Sequence, residues 1–339
     1  MLLIIWILIF IGALALLIKG ADWLLDSAEK IGLAAGLSPF IVGVTIVSLG
    51  TSFPELVSSI FATAQGLTDF AAASAVGSNI ANIFLIIGVA ALVGRRLVVT
   101  KSLIDLDLPL LAISTALLLG VLWDKQISVG EAIILIVTYA IYFGYTLLHR
   151  SDDEGRQEIV HSEIVPLKKL RTQEKRKVRK ISEKKKYKKP KVTTKDYILL
   201  FVGIALLAVG AKYVVDSVQE ISLALNISAG VIAITAVAFG TSLPELIVSI
   251  KAARKNRPEV AIGNIFGSNI FNGLLVIGIP GLTGTLTVDQ QTFTLGVPAM
   301  AVATLLFVIS GISRRIHAWE GAMFIMLYIL FFTKLLGIF

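Results

Sequence analysis

Long runs of uncharged residues recur along this chain, and a helix that buries such a run on every side needs a hydrocarbon solvent around it. Crossing a bilayer takes about 20 predominantly apolar residues in a helix. Ten runs approach or exceed that length: residues 2–20, 37–62, 70–94, 106–123, 127–148, 197–218, 228–252, 259–284, 290–312 and 318–337. Of the 339 residues, 56% are hydrophobic and 16% charged, against about 45–50% and 25% in a soluble domain. Barrel strands would appear as alternating segments of about ten residues, whereas these runs are continuous. The expected fold is therefore an all-α polytopic membrane protein with ten transmembrane helices. The first run lacks a basic leader and a small-residue cleavage pattern, so a true first helix is expected rather than a signal peptide. The chain has no Cys, and its three His residues (His149, His161, His317) stand beside charged or loop sequence. Thiol chemistry is excluded, and imidazole-based catalysis inside the membrane is disfavoured.

The polar interruption at 150–195 carries 17 Lys and Arg against 7 Asp and Glu, a net of +10, while the whole chain is +8. The basic character thus belongs to one loop. It reads as a solvated cytoplasmic linker under the positive-inside rule, with contact to anionic lipid as its functional alternative. Nucleic-acid binding is not expected, since Tyr187 is nearly the only aromatic there. Ten spans make the loops alternate in side. With 150–195 inside, 28 of the 31 basic residues fall inside, leaving Lys125, Lys212 and Lys334 on or near the outer side. The expected location is the cell membrane, multi-pass, with both termini extracellular.

The chain also repeats itself at a constant offset of 190. Gly50-Thr51-Ser52-Phe53-Pro54-Glu55-Leu56 matches Gly240-Thr241-Ser242-Leu243-Pro244-Glu245-Leu246, and Gly77-Ser78-Asn79-Ile80 matches Gly267-Ser268-Asn269-Ile270. Asn82 matches Asn272, Gly20 matches Gly210, and Asp26-Ser27 matches Asp216-Ser217. Each half holds five spans, an odd number, so the second half enters the membrane inverted. Expected units are a first repeat (1–149), the basic loop (150–195) and a second repeat (196–339). Inverted repeats characterise secondary transporters that alternate access around a midplane site.

Glu55 and Glu245 lie in spans 2 and 7, each in uncharged sequence. A carboxylate at that depth costs about 2.5–3.5 kcal/mol on insertion scales and marks function by default. Pro54 and Pro244 precede them, and a mid-helix Pro removes a backbone hydrogen bond. Carbonyls from Ser48 to Thr51 and from Ala238 to Thr241 are expected to be bared toward a ligand. Ser78 with Asn82, and Ser268 with Asn272, are four apart and share a helix face; Asn79 and Asn269 point elsewhere and are expected to brace the kinked backbones. Carboxylates, hydroxyls, amide oxygens and carbonyls form an all-oxygen set suited to a hard cation such as Ca²⁺, which takes 6–8 oxygens. Without sulfur or imidazole, zinc and copper are disfavoured. Two negative charges are balanced by one Ca²⁺, two Na⁺ or protons, which makes competition for one site a basis for exchange. Glu131, Glu320, Asp105 and Asp107 sit at span starts and read as interfacial; Asp26 and Asp216 read as structural.

These paired motifs resemble the α-repeats of the sodium/calcium exchanger family, within the calcium/cation antiporters, over nearly the whole chain. The resemblance implies that Glu55 and Glu245 bind Ca²⁺, that Thr51, Thr241, Ser52 and Ser242 supply oxygens to Ca²⁺ and Na⁺, and that Ser78, Ser268, Asn82 and Asn272 complete the cluster. It implies spans 1 and 6 sliding against the other eight, and several Na⁺ moving inward to drive one Ca²⁺ outward. Asn272 stands where potassium-dependent and some prokaryotic members carry Asp, removing one titratable charge; Ser74 stands where the second half has Asn264. The loop is too short for tandem Ca²⁺-sensing domains. Proton/calcium exchangers typically show Gly-Asn-x-x-Glu instead, so proton coupling is the runner-up. A channel would need a continuous pore, and an intramembrane enzyme would need a nucleophile with a base beside it; neither is expected. No cofactor is expected beyond the transported ions, and a monomer suffices because both halves lie in one chain.

Overall fold

The computed structural model describes residues 2–35, 50–98, 107–163, 190–254 and 258–338. The first half of span 2, Ser48, Asp105 and residues 164–189 of the basic loop lie outside the described residues. Helix α1 is Leu2–Ala35, α2 is Phe53–Ala64 and α3 is Phe70–Gly94. A short strand β1, Arg96–Val98, precedes α4, Leu108–Val121; β2, Gln126–Ile127, precedes α5, Val129–Glu163. The second half runs α6 (Thr194–Leu225), α7 (Ala229–Arg254), α8 (from Pro258 to Gly281), β3 (Leu286–Thr287), α9 (Thr292–Ile312), β4 (Arg315–His317) and α10 (Ala318–Leu335).

Eight of these helices are long and apolar enough to cross a membrane, and α4 is a shorter apolar helix. The chain is a helical polytopic membrane protein. Three expectations need correction. Helices α1 and α6 are 34 and 32 residues long, well past the 2–20 and 197–218 runs, because charged residues beyond those runs, such as Asp26 and Glu220, stay within the helix. The segment read as linker from residue 150 begins as helix, since α5 continues to Glu163. The fold is also not purely helical: β1 pairs antiparallel with β4, and β2 with β3. These two-strand clasps tie the loop after α3 to the loop before α10, and the loop after α4 to the loop before α9.

Burial sorts the helices. In the most apolar windows of α3 and α8, 78% and 72% of residues are buried, against 17% in α1 and 22% in α10. Helices α3 and α8 thus form the centre, while α1 presents Leu2, Ile4, Leu8 and Ile11 outward as a lipid-facing surface. Both central helices widen into π-turns, at Ala81–Ile87 and Asn272–Val276. Such bulges are frequent at functional sites.

Helices α1 and α6 lie antiparallel and make their most extensive contact with each other. Gly20 and Gly203 face each other at the crossing: a Cβ on Gly203 would come 2.7 Å from the Leu24 amide nitrogen and 2.8 Å from the Gly20 carbonyl oxygen. Small residues at a helix crossing let backbones approach where hydrophobic force between helices is weak. At one end of the pair the Lys30 Nζ meets Asp196 Oδ1 at 2.8 Å, and Asp196 also caps α6 by accepting from the Thr193 amide and hydroxyl. Farther along, Asp216 accepts from Gln65 Nε2 at 3.0 Å and pairs with Lys212, a structural role. Glu131 accepts from the Ser128 amide and Glu320 from the His317 amide, so both cap helix starts.

Backbone atoms cannot move aside as side chains can. The substitution Gly203→Leu is therefore expected to destabilise the protein by at least about 1–3 kcal/mol, the range for overpacking. Gly120→Leu, with nothing within 4 Å of its added Cβ, leaves the melting temperature of the detergent-solubilised protein unchanged; thermal unfolding followed by tryptophan fluorescence compares the two.

Candidate ion-binding site

Helix α7 shows how the repeated motif shapes the backbone. It starts at Ala229, capped by the Ser228 side chain, widens into a π-turn at Ala233–Val237, and breaks at Ser242 before resuming at Leu243. Pro244 has no N–H and cannot bond back to the preceding turn, which is why the break sits there. Ser52 has a backbone like that of Ser242, with φ −94°, ψ 8° against φ −81°, ψ 4°; both open a helix carrying Pro and then Glu in its first turn. One expectation fails: the Ala238 carbonyl is not bared, because it accepts from the Ser242 amide at 3.2 Å. The chain rejoins its own helix across the break.

Glu55 and Glu245 are both completely buried. The two halves interlock around Glu245. Ser52 Oγ donates to Glu245 Oε1 at 3.2 Å, Ser268 Oγ donates to the same oxygen at 3.2 Å, and Thr51 Oγ1 lies 3.4 Å from Ser268 Oγ. The Thr241 and Ser242 hydroxyls lie by Glu55, but Thr241 Oγ1 donates to the Val237 carbonyl at 2.9 Å instead, and neither Glu55 oxygen has a hydrogen-bond partner. Ser78, Ser242, Asn82 and Asn272 are buried too, and Ser78 Oγ, Ser242 Oγ, Asn82 Oδ1 and both polar atoms of Asn272 are unpartnered. Buried polar groups normally find partners, so these bare groups make the four residues candidates for ligands to an ion.

The spacing suits a cation. Two oxygens 90° apart on a Ca²⁺ shell of about 2.4 Å radius are about 3.4 Å from each other; the Thr51, Ser268, Glu245 and Ser52 oxygens already neighbour one another at 3.2–3.4 Å. Rotating the hydroxyl protons away would turn their lone pairs inward. Among the described residues no cluster of three or more His, Asp or Glu occurs, so hydroxyls and amides must make up the rest of any ligand set.

Asn79 and Asn269 do not brace the kinks. They meet each other across the centre, with Asn79 Nδ2 donating to the Asn269 carbonyl at 3.2 Å and Asn82 Nδ2 donating to Asn269 Oδ1 at 3.0 Å. Ser59 and Ser249 went unnoticed in the sequence. Both are fully buried with bare hydroxyls, and each follows its Glu by one helical turn at matched positions of the repeat. That i+4 spacing at the same offset of 190 was the available signal. Outside the spans, burial and the nearby Asp289 carboxylate raise the Asp69 pKa above the usual carboxylate range.

The sequence profile of the sodium/calcium exchanger protein family matches residues 5–148 and 195–336. This chain belongs to that family. The chain is 32% identical to sodium/calcium exchanger MaX1 of Methanosarcina acetivorans over 97% of each chain. It is 31% identical to inner membrane protein YrbG of Escherichia coli over 88% of its own length and 86% of the relative's. Among solved structures, the sodium-calcium exchanger NCX_Mj soaked with zero Na⁺ and Ca²⁺ aligns with a TM-score of 0.60 and 27% identity, covering 98% of this chain and 99% of that one. Membership in this exchanger family makes the chain a cation/Ca²⁺ antiporter.

A buried carboxylate without a partner is costly, and neither Glu55 oxygen has one. Glu55→Gln removes that charge while keeping the shape. It is expected to raise the melting temperature of the protein in Ca²⁺-free detergent solution and to abolish the further rise that Ca²⁺ gives the unsubstituted protein. Differential scanning fluorimetry with and without Ca²⁺ reads both signs.

Proposed function

We propose that this protein exchanges Na⁺ for Ca²⁺ across the cell membrane by alternating access at the Glu55–Glu245 site. The observation that carries the reading is the interlock: Ser52 from one copy of the Gly-Thr-Ser-x-Pro-Glu motif donates to Glu245 of the other, amid buried oxygens without partners. Glu55 and Glu245 ligate Ca²⁺ directly. Thr51, Ser52, Thr241 and Ser242 add oxygens for Ca²⁺ and Na⁺, and Ser78, Asn82, Ser268 and Asn272 close the shell. One Ca²⁺ or two Na⁺ neutralise the pair of carboxylates, and the two loads compete for the same oxygens. A site with two unneutralised charges is held back from crossing by its own repulsion, so a cation of one kind must replace the other. Exchanger names borne by MaX1 and NCX_Mj support the choice of ions.

The architecture proposed for this work is ten spans in two inverted repeats, residues 1–149 and 196–339, joined by a cytoplasmic segment at 150–195, with both termini extracellular. Supporting it, β1 and β4 flank loops that this topology assigns to the inner side, and β2 and β3 loops it assigns to the outer side. The α1–α6 pair, packed mainly on itself, is the body that slides across the site formed by α2, α3, α7 and α8. The transporter works as a monomer, and the basic segment is a solvated cytoplasmic linker, with contact to anionic lipid as its functional alternative.

The test is ⁴⁵Ca²⁺ uptake into proteoliposomes loaded with Na⁺ and diluted into Na⁺-free buffer. Uptake is expected to need internal Na⁺ and to fall to background in both Glu55→Gln and Glu245→Gln. Uptake driven equally by a pH gradient without Na⁺ would instead assign proton coupling, and uptake surviving both substitutions would remove these carboxylates from the site.

A further inference from the structure

The two halves of the site are not equivalent, and the difference lies in how their asparagines are held. An amide side chain has a donor end and an acceptor end, so fixing one end aims the other. Asn82 Nδ2 donates to Asn269 Oδ1 at 3.0 Å, which leaves Asn82 Oδ1 as the end turned away, buried and without a partner. Asn82 lies in the α3 π-turn, where its neighbours Ala81, Leu85 and Ile86 line a small cavity with Ser242, Leu243 and Leu246 of the α7 break. The residue that holds Asn82 is next in sequence to Ser268, whose hydroxyl donates to Glu245 Oε1 at 3.2 Å, so Asn82 is tied to the segment that contacts Glu245. Asn269 is only 2% exposed and sits on α8, so this hold reaches from one half of the molecule to the other.

The equivalent bond in the second half would run from Asn272 Nδ2 to Asn79 Oδ1, since these positions match Asn82 and Asn269 at the offset of 190. It is not made: among the described residues both of those atoms lack partners. Asn79 has spent its own donor on the Asn269 main-chain carbonyl, with Met300 Sδ 3.9 Å away. Asn272 is consequently free to turn either its oxygen or its nitrogen toward the interior.

We propose that Asn269 is a positioning residue, which fixes the Asn82 amide so that its oxygen is a preset cation ligand, whereas Asn272 is an unanchored one. This deepens the reading of the Glu55–Glu245 site and rests on it. Partners that orient a ligand are worth about 10–100-fold in metal affinity. Asn269 touches no ion itself; it acts through Asn82.

A double-mutant cycle on Ca²⁺ affinity separates this role from a general structural one, because only residues acting through each other fail to add. Affinity is read from the Ca²⁺-dependent rise in melting temperature of the purified, full-length protein, which reports binding without transport. Asn269→Leu, which fills the space without an acceptor, is expected to weaken Ca²⁺ about tenfold or more. Asn82→Ala weakens it at least as much, and the two together no more than Asn82→Ala alone. Asn269→Asp keeps an acceptor for Asn82 and retains affinity within a few-fold of the unsubstituted protein, which also covers the case in which Asn269→Leu does not fold. The companion cycle of Asn79→Leu with Asn272→Ala gives additive effects. Additive losses in the Asn82–Asn269 cycle, or unchanged affinity in Asn269→Leu, would overturn the proposal. A protein that binds Ca²⁺ but does not exchange it for Na⁺ would overturn the coupling and leave the cycle decisive; one that Ca²⁺ does not stabilise at all would overturn both.

Discussion

Two carboxylates held at the centre of a helical membrane protein dominate everything built around them. In hydrocarbon a charge costs kilocalories and cannot be left to solvent. Glu245 is carried on a helix that breaks just before it and Glu55 in the first turn of α2, beside the two most buried helices of the bundle, α3 and α8. The α7 break puts irregular backbone at membrane depth, which is tolerated only where protein encloses it or a cavity receives it. Cross-half contacts follow from the same need. Ser52 from the first half joins Ser268 of the second on one Glu245 oxygen.

The asymmetry between the carboxylates is a consequence of packing, not of composition. Glu245 is partly satisfied by hydroxyls, while Glu55 is not. The long helices α1 and α6 are joined closely through the Gly20–Gly203 crossing and clasped by Lys30 and Asp196.

Much of this was written in the linear order of residues. The membrane-spanning character, the repeat at 190 and the outstanding Glu residues are all visible without coordinates, because a charge in an apolar run and a Pro within a helix are local anomalies. The placement of Glu131 and Glu320 at span starts was legible as well, while their capping bonds were not. The reach of α1 and α6 was not, since Asp26 and Asp216 look like helix ends until Gln65 and Lys212 are found beside Asp216. Nor was the fate of Asn269. Helical periodicity correctly separates it from the Ser268–Asn272 face, but says nothing about which helix lies opposite.

Sequence by itself determined the solvent, the helices, the duplication and the chemical set from which a cation site could be made, because hydropathy, Pro and buried charge act over a few residues. Tertiary structure alone decided which oxygens meet, that the Ala238 carbonyl is reclaimed by Ser242, that α3 and α8 widen into π-turns, and that Asn82 is anchored while Asn272 is not. The anchoring of Asn82 depends on contacts between residues some 190 positions apart, and their geometry is fixed only when the two halves pack against each other.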